Sequence, residues 1–209
     1  MKRTEHRGEQ WIFPFVEYAP ENTDKKLPLV IQLHGAGERG NGSEEELGKV
    51  DIHGFSNIME EGEYECIFIM PQCPKTTFWA ARVESIHKFI DSIIEKYNVD
   101  EDKVYLTGLS MGGFGTWNVA MDNPKRFAAI APVCGGGMAW NAGVLKMPVW
   151  MFHGENDGVV SPTNSDEIAK KLESIGADYK YTKVPDVAHD VWKVAYTKEL
   201  LEWLLSKKR

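Results

Sequence analysis

The sequence predicts an α/β domain built on a mostly parallel central sheet flanked by helices, spanning residues 1–209 as a single unit. Three observations lead there. Short apolar runs with sharp ends recur along the chain, the form taken by strands buried in a parallel sheet. Segments of helical periodicity lie between them, and this alternation is the pattern of βαβ construction. Apolar residues make up 43% of the 209 residues, with 7 Trp and 9 Phe, enough for a substantial core and against disorder.

Taken in order, the opening "WIFPFVEYAP" reads as an extra strand, antiparallel and at an edge because Pro14 interrupts it. "LPLVIQLHG" (27–35) is a strand ended by Gly35, and "YECIFIMPQ" (64–72) is another, ended by Pro71. The stretch between them, about 35–63, is irregular and rich in Gly and Glu. From Ala81 to Tyr97 the apolar positions Val83, Ile86, Phe89, Ile90, Ile93, Ile94 and Tyr97 fall on one helical face. "DKVYLTG" (102–108), "FAAIAPV" (127–133), "MPVWMFHG" (147–154) and "DYKYTKVP" (178–185) complete the strands. Ile168, Leu172 and Ile175 mark a helix that Gly176 is placed to terminate, and Val194 to Leu205 gives a last amphipathic helix. The connection from Val133 to Met147 is too short for a large cap.

Composition narrows the function classes. The net charge is −7 and the basic residues are scattered, which argues against nucleic-acid binding; the terminal "KKR" reads as a solvated tail. Three cysteines, Cys66, Cys73 and Cys134, form no CxxC pair, so free buried thiols are expected rather than a disulfide framework or a zinc site. "MKRTEHRGEQW" lacks the apolar region of a signal peptide, and no run is long enough to cross a membrane. The expectation is a soluble cytoplasmic protein that needs no cofactor or metal. Gly135 to Gly137 lack the Lys-Ser/Thr of a nucleotide-binding loop.

The chemistry centres on "VYLTGLSMGGFGTW" (104–117). Strand, GxSxG and helix in succession describe a nucleophile elbow, with Gly108 and Gly112 where a sharp turn brings backbones together. Ser110 then needs a base and an orienting acid. Asp157 in "FHGENDGVV" and His189 in "VPDVAHDVW" each follow a predicted strand, and the order Ser, Asp, His suits an elbow serine. Glu155 and Asp186 stay open as alternative acids, with Asp157 then serving a local turn. Among the other histidines, His34 and His153 sit in "HG" turns and read as structural, His6 lies in the N-terminal tail, His53 in the irregular region and His87 on a helix. In a parallel sheet the loops at 34–40, Ser110, Asp157 and His189 all reach the carboxyl edge, where such sheets place ligands.

"LHGAGERG", "GLSMGGFGTW", "FHGENDGVV" and "AHDVW" together resemble the α/β-hydrolase superfamily, with a minimal cap or none. More narrowly, the chain is similar to the small bacterial phospholipase/carboxylesterase-like group of predicted esterases and peptidases, related to polyhydroxybutyrate-depolymerase-like and feruloyl esterases. The resemblance implies Ser110 as nucleophile, Asp157 as acid, His189 as base, and an oxyanion hole from the backbone N–H groups of Ala36 and Met111. Around Ala36 this chain reads HGAG where many lipases read HGGG. The expected activity is serine-dependent hydrolysis of soluble short-chain, acetyl or feruloyl/cinnamoyl-type esters, small or linked to an oligosaccharide, rising with pH as an imidazole deprotonates. Lysophospholipase or thioesterase, serine peptidase, and a catalytically inactive binding protein are the alternatives; the oligomeric state is not readable. Trp79, Trp140 and Trp192 near strand ends are candidates to wall a substrate pocket, and Glu38 with Arg39 to contact a polar substrate or to fix their loop.

Overall fold

The computed structural model describes residues 1–21 and 24–209. Its strands are β1 (Lys2–His6), β2 (Phe15–Ala19), β3 (Leu27–Leu33), β4 (Ile67–Pro71), β5 (Val99–Leu109), β6 (Ala129–Val133), β7 (Val149–Gly154) and β8 (Tyr179–Val184). They form one eight-stranded sheet in the order β1-β2-β4-β3-β5-β6-β7-β8. From β4 through β8 every neighbouring pair is parallel, while β1 and β2 run antiparallel. This is the expected α/β-hydrolase architecture, mostly parallel and flanked by helices.

The central strands β3, β4, β6 and β7 are apolar on both faces because both faces are covered. Two short helices, α1 (Glu44–Leu47) and α2 (Ser56–Glu61), precede β4. Leu29, Ile31, Leu33, Ile69 and Leu106 enter one buried layer with Ile86, Phe89, Ile90 and Ile93 of α3 (Val83–Lys96), Trp117 of α4 (Met111–Asp122), and Ile168 and Leu172 of α5 (Thr163–Ser174). The alternate residues Val30, Phe68, Met70 and Tyr105 enter the opposite layer with Met59 and with Leu200, Leu201 and Leu204 near the C-terminus. The period-two alternation thus divides two apolar sets between two cores.

Three expectations are corrected. The charged N-terminal segment is not a tail: Lys2–His6 pairs with Phe15–Ala19 as the edge strand, and its polar residues suit that exposed place. His6 stacks on Phe15 at 4.3 Å between ring centroids and meets Glu17 Oε2 at 2.5 Å. The strand predicted at the edge, β2, is therefore second, and Pro14 precedes it instead of interrupting it, with its carbonyl accepting from Gln72 N at 2.8 Å. The last helix is two, Trp192–Ala195 and Lys198–Leu205, because Thr197 caps the second by accepting from Leu200 N. The Gly176 expectation holds: at φ 64 it follows α5, with Ala177 N donating to Leu172 O at 3.0 Å.

The irregular 35–63 region contains only short helical turns. Residues 134–147 carry one 3-10 turn, Ala139–Val144, and no cap is inserted there. All three cysteines are buried and unpaired; burial pushes the thiols of Cys66 and Cys134 up to about 12. Among the described residues no helix is long and apolar enough to cross a membrane.

Candidate active site

The carboxyl ends of β3, β5, β7 and β8 deliver four loops to one edge of the sheet. Ser110 is the single residue between β5 and α4, at φ 52 and ψ −115. Positive φ in a residue with a Cβ is strained, and the surroundings hold it: Ser110 N donates to Val133 O at 2.9 Å, and Phe114 N to Ser110 O at 3.0 Å. A Cβ on Gly112 would stand 1.9 Å from Leu33 O, and one on Gly108 would stand 2.4 Å from Gly112 O. The elbow is therefore packed backbone to backbone.

His189 Nε2 lies 2.9 Å from Ser110 Oγ, and His189 Nδ1 lies 2.7 Å from Asp157 Oδ2. Since a carboxylate only accepts, Nδ1 carries the proton and Nε2 is left to accept from the serine hydroxyl. Asp157 is buried, and its other oxygen, Oδ1, accepts from the N–H groups of Val159 and Val160, each at 2.9 Å. The local turn and the contact with His189 are both made, one by each oxygen. Burial works against the Asp157 charge, but the hydrogen bond from His189 and those two N–H groups hold its pKa below the usual carboxylate value. Glu155 and Asp186, the alternative acids, are exposed. The two loops interlock: Glu155 N donates to Val184 O and Asn156 N to Val187 O, each at 2.9 Å, and only glycine fits at Gly154, where a Cβ would meet Ala188 O at 2.2 Å.

His153 belongs to the same assembly. Fully buried, its Nε2 is 3.2 Å from Asp157 Oδ2 and 2.9 Å from Val160 O, while Nδ1 meets Ser165 Oγ at 2.7 Å. It steadies the acid from beneath.

The loop after β3 carries Ala36 at the start of a 3-10 turn (Ala36–Glu38), and Met111 is the first residue of α4. The first N–H groups of such turns have no carbonyl one turn behind them. His34 anchors the loop: its Nδ1 donates to Gly35 O at 2.6 Å and its Nε2 accepts from Cys73 N at 2.9 Å. Burial lowers its pKa to about 4, so the ring is neutral, as this pattern requires. Among the described residues Arg39 pairs with no carboxylate; it ties the loop to the carbonyls of Ala36, Thr77 and Lys75.

Of the three tryptophans proposed as pocket walls, Trp79 is corrected. It is fully buried beneath the same loop, its Nε1 donating to His34 O at 3.0 Å. Trp140 is 77% exposed on the 3-10 turn. Trp192 is edge-on to His189 at 5.3 Å between ring centroids. Glu38 is buried beside the loop, with Oε1 3.8 Å from His53 Nε2. The structure adds two features to those expected: His53 beside Glu38, and a cavity of about 340 Å³ beside Ser110, lined by Phe78, Ala80, Met111 and Phe114. Phe78 stands next to Trp79, so the aromatic signal was present one position away; His53, in a stretch without periodicity, left none.

A sequence model of the dienelactone hydrolase family matches residues 60–193. A bifunctional acetylxylan esterase/xylanase, XynS20E of Neocallimastix patriciarum, is 32% identical over 149 residues, covering 69% of this chain and 21% of its own length. A probable feruloyl esterase C of Aspergillus clavatus is 28% identical over 149 residues, covering 69% of this chain and 53% of its own. The chain thus spans between about a fifth and about half of these two relatives. A solved thermostable esterase superposes with a TM-score of 0.83 and 32% identity, covering 100% of this chain and 63% of that one.

Proposed function

The chain belongs to the dienelactone hydrolase family, and from that premise we propose that it is a serine-dependent carboxylic-ester hydrolase working through an acyl-enzyme. The observation that carries the reading is the unbroken line from Ser110 Oγ through His189 to Asp157 Oδ2, with contacts of 2.9 and 2.7 Å. The similar proteins named as acetylxylan and feruloyl esterases support the ester class.

In this reading His189 Nε2 takes the Ser110 proton as Oγ attacks the ester carbonyl carbon. The carbonyl π electrons move onto oxygen, and the N–H groups of Ala36 and Met111 stabilise that oxyanion; one such donor is typically worth about 3 kcal/mol of barrier. As the tetrahedral intermediate collapses, the bond to the alcohol oxygen breaks and His189 returns its proton to that oxygen. Water, deprotonated by the same nitrogen, then attacks the acyl-enzyme; the carboxylic acid leaves and Ser110 regains its proton. Asp157 keeps the Nδ1–H tautomer and stabilises the imidazolium.

The cavity of about 340 Å³ supports the choice of acyl group. Phe78, Ala80, Met111 and Phe114 offer apolar walls beside the nucleophile, suited to an acetyl or planar aromatic acyl group. Phe78 is 54% exposed, so the mouth of this cavity is open, which suits a short or planar acyl group better than a long chain.

The test is a comparison of kcat/KM for acetyl, octanoyl and feruloyl esters of one alcohol, with Ser110→Ala as the blank. Acetyl or feruloyl turnover well above octanoyl is expected. An octanoyl preference would indicate a lysophospholipase- or thioesterase-type acyl site. Rates equal to the blank on all three would remove the ester reading and bring aminoacyl amides forward.

A further inference from the structure

A line of side chains leads away from the reacting atoms on the histidine side. Trp192 stands between His189 and His53, with ring centroids 5.3 Å from each. His53 Nε2 in turn is 3.8 Å from Glu38 Oε1. Glu38 lies two residues after Ala36, so the line returns to the loop carrying the proposed oxyanion donor.

Two buried polar groups in this line have no hydrogen-bond partner among the described residues: Glu38 Oε2 and the Trp192 Nε1–H. Glu38 is only 9% exposed. Buried His34 offers it no proton, for His34 Nδ1 stands 3.9 Å away and already donates to Gly35 O. His53 Nε2, at 3.8 Å from Oε1, is beyond hydrogen-bond length. A buried acceptor and a buried donor left unpaired are costly, and the cost is recovered when a ligand pairs both.

We propose that Glu38, His53 and Trp192 form a subsite for the alcohol half of the ester, and that it takes a neutral alcohol bearing further hydroxyl groups. The assignment rests on the ester-hydrolase reading. His189 must hand its proton to the leaving oxygen, so the alcohol lies on the histidine side. The apolar cavity has no lining residue from the histidine loop, which leaves it to the acyl half. A hydroxylated alcohol supplies both missing partners, one O–H donating to the Glu38 carboxylate and one oxygen accepting from the Trp192 N–H. A cationic alcohol pairs Glu38 but leaves the indole N–H unmet. An anionic alcohol is repelled by Glu38, and a plain alkyl alcohol pairs neither.

The experiment keeps the acyl group constant. Values of kcat/KM are measured for a monoacetate of methyl β-xyloside, ethyl acetate and acetylcholine, each divided by its alkaline hydrolysis rate, in wild type, Glu38→Gln and Trp192→Phe. The quantity read is the ratio of xyloside acetate to ethyl acetate, which does not depend on how much of a variant is folded. Wild type is expected to favour the xyloside ester. Glu38→Gln is expected to lower the ratio by about tenfold or more, and Trp192→Phe to lower it by several-fold. A ratio unchanged in both variants, a loss shared equally by both esters, or a wild-type preference for acetylcholine overturns the subsite while leaving the esterase reading intact. A wild type that cleaves none of the three acetates, although folded, overturns the esterase reading and the subsite with it.

Discussion

At the scale of single residues, His34 links the site to pH. Its Nδ1 donates and its Nε2 accepts, so only a neutral ring fits between Gly35 and Cys73. Burial lowers its pKa from 6.5 to about 4. Between those values the unfolded chain binds a proton that the folded chain does not. The stabilisation is therefore complete above about pH 6.5 and is lost as pH falls toward about 4, by on the order of 3 kcal/mol. Urea titrations at several pH values, with wild type set beside His34→Gln, should show the wild type losing more stability across that window. Parallel pH dependences would contradict the assignment. His34 as a structural histidine was legible from its "HG" turn at a strand end. Trp79 was not legible as a buried support, because an aromatic residue near a strand end reads the same whether it faces substrate or, as here, the underside of a loop.

At the scale of elements, the elbow depends on β5, α4 and β3 approaching without side chains between them. Gly112 lies against Leu33 O, where an added Cβ would stand at 1.9 Å, whereas a Cβ on Gly37 would meet nothing within 4 Å. Gly112→Ala should therefore cost about 3 kcal/mol of stability and displace Ser110. Gly37→Ala should stay within about 0.5 kcal/mol. Thermal and chemical unfolding of the pair checks this, and equal stabilities would mean the elbow relaxes freely. The central strands were legible because both of their faces are buried, which produces continuous apolar runs. β1 was not: "KRTEH" gains its strand conformation from pairing with β2 rather than from its own apolar content. The single helix expected from Val194 to Leu205 kept its apolar period across a real break, because the two short helices at Trp192–Ala195 and Lys198–Leu205 pack on the same core layer.

At the scale of the whole molecule, topology does the assembling. Ser110, Asp157 and His189 are separated by as many as 79 positions, yet parallel strands place their loops on one edge. That convergence was readable from chain order and strand placement alone. The alcohol-side line was not, because it joins Glu38 and His53 from the irregular region to Trp192 at the far end of the chain, and no periodicity relates them. The proposed reaction turns on Ser110 being the nucleophile, and intact-protein mass spectrometry after reaction with a fluorophosphonate, which phosphonylates an activated serine, is the decisive measurement. One adduct per chain is expected, mapped to the Ser110 peptide, absent in Ser110→Ala, with ester hydrolysis lost in proportion to labelling. Fully labelled protein that still turns over esters, or Ser110→Ala that hydrolyses them at the wild-type rate, would contradict it.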